Sequence, residues 1–150
     1  MSNVPGLRSP YNRVGRLVYF GRMLDKIRLH AAGHLPVADY AANLGQGFDA
    51  RCCSFLHVGY DELKARVLVG GLDDTQLLAW CHERGGDRTD EECEVWSGFM
   101  MKRGWRDDGR VILERRIQES ALQGKPIATM FDYLDFDEGR DPVSVLAWEP

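Results

Sequence analysis

The stretch RLVYFGRMLDKIRLHAAG, residues 16–33, combines a regular apolar period with a cluster of charged side chains. Its apolar residues recur at alternating steps of three and four: Leu17, Phe20, Leu24, Ile27 and Ala31. This spacing places them on one face of an amphipathic helix. Upstream, Ser9 and Pro10 supply a cap and a first helical position, and Gly33 marks the end. The stretch therefore predicts the first helix of a helical protein.

Capping signals and apolar periods predict further helices along the chain. Asp73 with Gln76, and Thr89 with Glu92, have the spacing of a capping box. Asp49 is predicted to cap a shorter helix. Together with the breaks at glycine, these signals predict helices over about 49–56, 61–69, 73–85, 89–103, 107–121 and 127–134.

The segment that follows the first helix lacks a sustained period. Residues 34–47 are rich in glycine and include Pro36 and Asn43, which favour loops. No segment shows the period of two that is typical of strands. The chain has 150 residues and a hydrophobic fraction of 44%, which is enough for one core. We therefore predict an all-α fold: a single compact domain of about six to seven short helices over residues 1–150, with a long loop near residues 34–47.

Charge and hydropathy argue against several classes of partner. The formal net charge is -4 and the isoelectric point is about 5.5, so the positive field on which nonspecific nucleic-acid or membrane-surface binding depends is missing. No segment approaches the roughly 18 apolar residues of a membrane span, and the first residues lack a signal-peptide pattern. We expect a cytoplasmic protein with no nucleic acid and no membrane as partner.

The order of short motifs along the chain resembles one family. These motifs are RSP, RMLDKIR, NLGQGFDARCCSFL, YDEL, WC, WSGFMMKRGWRD and FDYLDFDEGR. Over about residues 7–141 the run resembles the uncharacterised bacterial family named domain of unknown function 5069. The resemblance implies a small bacterial cytosolic protein, and it supplies no activity, cofactor or catalytic residue. Residues 142–150, PVSVLAWEP, lie outside it and predict an apolar tail that docks on its own domain or on a second copy.

Two adjacent cysteines, Cys52 and Cys53, lie near the start of a predicted helix. The helix dipole stabilises a thiolate there and Arg51 adds positive charge, so the pair is a candidate site for redox or nucleophilic chemistry. The alternative is a core position, because free cysteine is among the most buried residue types and Phe55 and Leu56 lie one turn further on. The spacing of all four cysteines forms no disulfide framework, so we expect them to be reduced.

The first helix carries the most distinctive group of charged residues. Arg22 and Lys26 are four apart and present two positive groups on nearly one face, where Asp25 can orient an arginine. If the long loop folds over this face, its polar side chains add hydrogen bonds. We predict a site for a small anionic ligand that consists of Arg22, Asp25, Lys26, Arg28, Tyr40 and Asn43.

Two structural alternatives to this ligand site stay open. One is an exposed helix face whose ion pairs contribute about 0 to 1 kcal/mol each. The other is that the basic helix binds Asp132, Asp135 and Asp137 and so joins the two ends of the chain. A calcium loop in this acidic segment is excluded, because Gly139 occupies a ligand position and Leu146 stands where the bidentate glutamate belongs.

The spacings of possible metal ligands are weak. His30 and His34 are four apart, but Gly33 lies between them at the expected helix end. Cys53 and His57 form a second pair of the same spacing, and the chain contains neither C-x-x-C nor H-E-x-x-H. We expect no metal and no cofactor.

Three functions therefore remain open. The first is a binding or interaction module that forms a homodimer, for which Leu146 and Trp148 supply an apolar surface. The second is an enzyme or carrier for a small anionic metabolite, which binds to the Arg22–Arg28 face. The third is a thiol redox protein that uses Cys52 and Cys53. Phosphate-binding glycine loops and the nucleophile elbow are absent from the sequence, so it leaves catalysis open.

Overall fold

The protein folds mainly into α-helices. Its computed structural model describes residues 3–145. The helices in this part of the chain are α1 (Phe20–Ala31), α2 (Val37–Tyr40), α3 (Phe48–Leu56), α4 (Tyr60–Val69), α5 (Asp74–Gly85), α6 (Asp90–Lys102), α7 (Arg110–Glu119) and α8 (Met130–Asp137). Seven of these described helices have eight residues or more, which confirms the mainly helical prediction. None of the described helices is long and apolar enough to cross a membrane.

A short β-hairpin precedes the first helix. Its strands, β1 (Arg13–Val14) and β2 (Leu17–Val18), pair antiparallel with Arg13 opposite Val18 and Val14 opposite Leu17. Gly15, with a φ of 56°, provides the left-handed conformation that a two-residue turn needs. Helix α1 therefore begins later than predicted, at Phe20. Strands of two residues are too short to produce a recognisable alternation in the sequence.

Several predicted boundaries also change. Asp49 does not cap α3, because the helix begins after Gly47 and Asp49 lies inside its first turn. The predicted loop over residues 34–47 contains α2 and a 3₁₀ turn, Ala41–Asn43. Helices α7 and α8 begin at Arg110 and Met130, later than predicted.

Helix α1 lies at the centre of the main core. Phe20, Met23, Leu24 and Ile27 are at most 2% exposed, and the helix packs against α4. Fully burying one such side chain contributes about 1.5 to 3 kcal/mol. The charged residues of the same helix, Arg22, Asp25 and Lys26, are buried as well. The alternative of an exposed charged face is therefore wrong for these three residues.

The two ends of the described chain meet beside α8. Ser9 Oγ donates to Asp135 Oδ2 at 2.8 Å, and Tyr11 Oη donates to Asp132 Oδ1 at 2.5 Å. Arg140 Nη2 donates to the carbonyl of Leu7 at 2.6 Å. The ends are thus joined by contacts from the segment before the first helix, and the basic face of the helix adds the ion pair between Arg22 and Glu138, just after α8.

Candidate functional site

A cavity of about 720 Å³ lies between α1, the α2 segment, α3, α7 and α8. This volume falls in the range of roughly 300 to 1,000 Å³ that is typical of small-molecule sites. The polar side chains on its wall include Tyr19, Arg22, Lys26, Tyr40, Arg116 and Glu138. They come from distant parts of the sequence, so the cavity exists only in the folded chain.

Tyr19, Lys26 and Asp49 form a hydrogen-bonded triad beside this cavity. Lys26 Nζ lies 2.7 Å from Asp49 Oδ1 and donates to Tyr19 Oη at 3.0 Å. Tyr19 Oη in turn donates to Asp49 Oδ1 at 2.7 Å. The Gly45 amide donates to Asp49 Oδ2 at 2.9 Å, which fixes the carboxylate. All three side chains of the triad are nearly excluded from water.

The backbone at Tyr19 is strained, which places its ring in this triad. Tyr19 joins β2 to α1 with a φ of 71°. A residue with a side chain pays about 1 to 2 kcal/mol for the left-handed region. The turn lets the hairpin pack on the core while the phenol points back to Lys26, one to two helical turns along α1. Strained residues of this kind cluster at functional sites, so the backbone conformation makes Tyr19 a candidate functional residue.

Burial shifts the acid–base properties of the triad. It lowers the pKa of Lys26, although Asp49 opposes the shift through its charge and hydrogen bond. It raises the pKa of Tyr19 well above the ordinary value, and the negative charge of Asp49 adds to the effect. The phenol therefore stays protonated, and the neutral amine becomes more accessible than in water. An amine, an acid and a carboxylate base thus lie within hydrogen-bond distance of one another.

A second buried ion pair lies one turn away on α1. Arg22 binds Glu138 with two parallel hydrogen bonds of 2.8 and 2.7 Å. Tyr40 Oη and Arg140 Nη1 donate to the same carboxylate at 2.7 and 2.9 Å. Burial raises the pKa of Glu138, but the bonds and charge of Arg22 outweigh it and leave this pKa below its ordinary value. Arg22 Nε, which is buried, makes no hydrogen bond with the described residues.

Two arginines without a salt bridge in the described chain and several apolar side chains form the rest of the cavity wall. Arg51 and Arg116 line it and form no salt bridge with any described residue. Arg51 stacks over Phe99, with 5.3 Å from its guanidinium carbon to the ring centroid. Apolar side chains of α3, α7 and α8 cover another part of the wall, namely Phe48, Ile112, Met130 and Leu134. The cavity therefore offers cationic groups and an apolar surface to one ligand.

The family assignment follows from a comparison with family models. The model described as "Domain of unknown function (DUF5069)" matches residues 4–140, which is most of the chain. The chain belongs to the DUF5069 family. A comparison with curated proteins finds no match. In this DUF5069 member the function must therefore be argued from the cavity itself.

The predicted ligand-site residues divide into two groups. Arg22, Lys26, Tyr40 and Asn43 line the cavity together. The remaining two, Asp25 and Arg28, lie outside its wall and form other ion pairs. Asp25 binds Arg8, with 2.9 Å between Oδ2 and Nε, and Arg28 binds Asp74, with 2.9 Å between Nη1 and Oδ1.

Three buried participants were missed by sequence reasoning. Tyr19 lies inside the stretch predicted as the first helix, Asp49 resembles an ordinary helix cap, and Glu138 stands in an acidic run. Nothing in their local sequence distinguishes them. The one available signal is the excess of cations on α1, which requires buried partners once the helix itself is buried.

Cys52 and Cys53 are buried and are not part of the cavity wall. Burial raises the pKa of Cys53 to about 12 and raises that of Cys52 well above its ordinary value. The charge of Asp49 adds to both shifts. Because the thiolate is the reactive form, these positions disfavour chemistry in the folded chain. The redox hypothesis stays a prediction.

The residue pairs considered for metal binding do not gather further ligands. Within residues 3–145, no group of three or more His, Cys, Asp or Glu side chains is arranged to hold a metal ion. His57 instead contacts Arg88 through Nδ1.

Proposed function

We propose that this DUF5069 member binds a small molecule carrying a carboxylate or phosphate group in the cavity between α1, α3, α7 and α8. The observation that carries the proposal is the pair of guanidinium groups, Arg51 and Arg116, on the cavity wall without a carboxylate partner among the described residues. A guanidinium is suited to planar anionic groups because its N–H donors match two oxygens at once.

The charges on the wall indicate how the ligand is held. Arg22 forms an ion pair with Glu138, and Lys26 forms one with Asp49. The charges of both cations are therefore already compensated within the protein. Arg103 is likewise paired with Asp107 and Asp108. Acidic residues such as Asp39 and Glu119 also line the cavity, and long-range attraction of anions is therefore weak. Recognition depends on short-range contacts, and the apolar wall selects ligands with an organic body.

The experiment compares two neighbouring arginines of α7. Arg116 lines the cavity, whereas Arg115 points to solvent with an exposed fraction of 67% and pairs with Glu119 at 3.8 Å. Carboxylate and phosphate metabolites are screened by thermal denaturation, and a ligand at a hundred times its dissociation constant adds about 2.7 kcal/mol. We expect Arg116→Ala to raise the dissociation constant of the ligand about tenfold or more. We expect Arg115→Ala to leave this constant unchanged.

Two outcomes would overturn this proposal. One is the absence of a response to any anion in the screen. The other is a response that Arg115→Ala and Arg116→Ala reduce equally, since that pattern indicates nonspecific attraction by surface charge.

Self-association is the second candidate function. A shallow apolar cleft on α3 and α6 is lined by Phe55, Val95, Trp96 and Phe99. Val95 is 68% exposed and Phe99 is 44% exposed, and such exposed apolar patches favour protein contacts. The predicted tail contacts of Leu146 and Trp148 lie outside the described residues and stay a prediction.

Light scattering after size-exclusion chromatography tests self-association. We expect a dimer that Val95→Glu disrupts, because the charge would be desolvated in the interface. Deleting residues 142–150 separates a role of the tail from a role of the cleft. A monomer at the highest soluble concentration would contradict this candidate.

A further inference from the structure

Lys26 is a buried amine on the wall of the cavity. It is the one lysine on the cavity wall, since Lys64, Lys102 and Lys125 of the described chain lie elsewhere. Its side chain is 5% exposed. Burial lowers its pKa and so increases the share of free amine, the form that attacks carbonyl carbon.

The neighbours of Lys26 supply the two proton carriers that amine addition needs. Asp49 Oδ1, 2.7 Å from Nζ, is within reach to accept a proton from the ammonium group. Tyr19 Oη, 3.0 Å from Nζ, carries a proton and is a possible donor to the oxygen of a carbonyl group that Nζ attacks. The Gly45 amide holds the far carboxylate oxygen, so Asp49 keeps its orientation.

We propose that Lys26 forms an imine with an aldehyde or ketone group of the anionic ligand. The nitrogen lone pair attacks the carbonyl carbon, a C–N bond forms, and the C=O π electrons move to oxygen, which takes the proton of Tyr19. The carbinolamine hydroxyl then takes the proton that Asp49 accepted from the ammonium group and leaves as water, while the nitrogen passes one proton to the Tyr19 phenolate and its last proton to Asp49. The balance is one carbonyl and one amine in, one imine and one water out.

This proposal rests on the proposed anion site and names the substrate class, an oxo acid or a phosphorylated carbonyl compound. Arg116 would hold the anionic group while the carbonyl carbon reaches Nζ. The competing explanation is that Lys26 and Asp49 form a buried ion pair that only stabilises the fold. The two explanations differ in one observable, namely whether a carbonyl compound becomes attached to Lys26.

Reductive trapping of the full chain tests the step. The protein is incubated with pyruvate and sodium cyanoborohydride, which reduces an imine to a stable amine, and the adducts are located by peptide mass spectrometry. We expect Lys26 to be modified about tenfold or more faster than the exposed Lys102. Adducts confined to Lys64, Lys102 and Lys125, with Lys26 unmodified, would overturn the proposal. This comparison is made within the wild-type chain and needs no folded variant.

Two variants separate the imine from the anion site on which it rests. Lys26→Arg keeps the positive charge beside Asp49 and removes the amine, so we expect no adduct at position 26. Arg116→Ala keeps the amine, so we expect trapping of pyruvate to slow about tenfold and trapping of uncharged acetaldehyde to stay the same. Equal trapping of pyruvate by wild type and Arg116→Ala would contradict the anion site alone.

Discussion

Arg22 and Lys26 combine two properties that seldom occur together in one helix: both are charged and both are buried. They stand four residues apart on α1, and each is paired with a carboxylate from another element. Removing a charge from water costs several kcal/mol, and only close partners with good geometry compensate for it. The buried charges of Arg22 and Lys26 therefore depend on Glu138 and Asp49 for compensation.

Glu138→Gln tests the buried pair of Arg22. With no counter-charge for a guanidinium that is 2% exposed, we expect a loss of about 3 to 5 kcal/mol in the free energy of unfolding at neutral pH. The folded pKa of Glu138 is depressed, so its contribution is present above the unfolded pKa of about 4.3 and is lost as the pH falls through the folded value. The difference in the free energy of unfolding between wild type and Glu138→Gln should therefore decrease as the pH falls.

Urea denaturation from about pH 7 down to about pH 3 measures this gap. Glu114→Gln is the matched control, because Glu114 forms an exposed i, i+4 pair with Arg110 at 3.0 Å. Its removal should cost about 0.5 kcal/mol or less. A gap for Glu138→Gln that stays constant down to the lowest pH would show that the charge of Glu138 is not what stabilises Arg22.

Native thiol labelling decides between the two interpretations of Cys52 and Cys53. With the pKa of Cys53 near 12 in the folded chain and about 8.5 after unfolding, its thiolate fraction at about pH 8 falls roughly a thousandfold on folding. We expect a disulfide reagent to modify both residues only after denaturation, with mass spectrometry locating the sites. Fast labelling of either cysteine in the native protein would revive the redox hypothesis.

At the scale of elements, local signals in the sequence predicted helices well where the chemistry is local. Both predicted capping boxes are confirmed, at Asp73 with Gln76 and at Thr89 with Glu92, since all the bonds of a capping box lie within four residues. The hairpin was not predicted, and α1 begins later than predicted. Leu17 follows the helical period, but it belongs to a strand because the turn at Tyr19 is set by packing and the triad, and neither is visible locally.

Two helical glycines allow a matched test of how closely the elements pack. A Cβ at Gly85, the last residue of α5, would lie 1.9 Å from the carbonyl oxygen of Leu56 in α3. Because backbone cannot move aside cheaply, we expect Gly85→Ala to destabilise the protein by about 1 to 3 kcal/mol. Gly98, inside α6, has nothing within 4 Å of a built Cβ. Gly98→Ala should instead stabilise by about 0.5 to 1 kcal/mol.

Chemical denaturation of both variants gives the comparison directly. The expected signs are opposite, so errors in extrapolation cannot produce the result. Stabilisation by both substitutions would mean that α3 and α5 have room to separate at Gly85.

At the scale of the whole molecule, the candidate site consists of residues that are far apart in the sequence. Arg22 and Glu138 are 116 residues apart, and Tyr40 and Glu138 are 98 residues apart. Arg22, Lys26, Tyr40 and Asn43 could be predicted as parts of one site because they lie on a single helix and the loop after it. Glu138 and Arg116 could not be predicted, because their approach depends on how α7 and α8 pack, which no local period specifies.

Asp135 of α8 joins the two ends of the described chain. Asp135 is fully buried, accepts from Ser9 Oγ at 2.8 Å and pairs with Arg140 Nη1 at 2.8 Å. In Asp135→Lys a second cation faces Arg140 without water or a counter-charge, so we expect a loss of more than about 4 kcal/mol. Asp87→Lys, at an exposed position, makes the same change in net charge and should alter stability by about 0.5 kcal/mol or less. If both variants unfold at the same urea concentration, the contacts of Ser9 and Arg140 with Asp135 do not hold the two ends together.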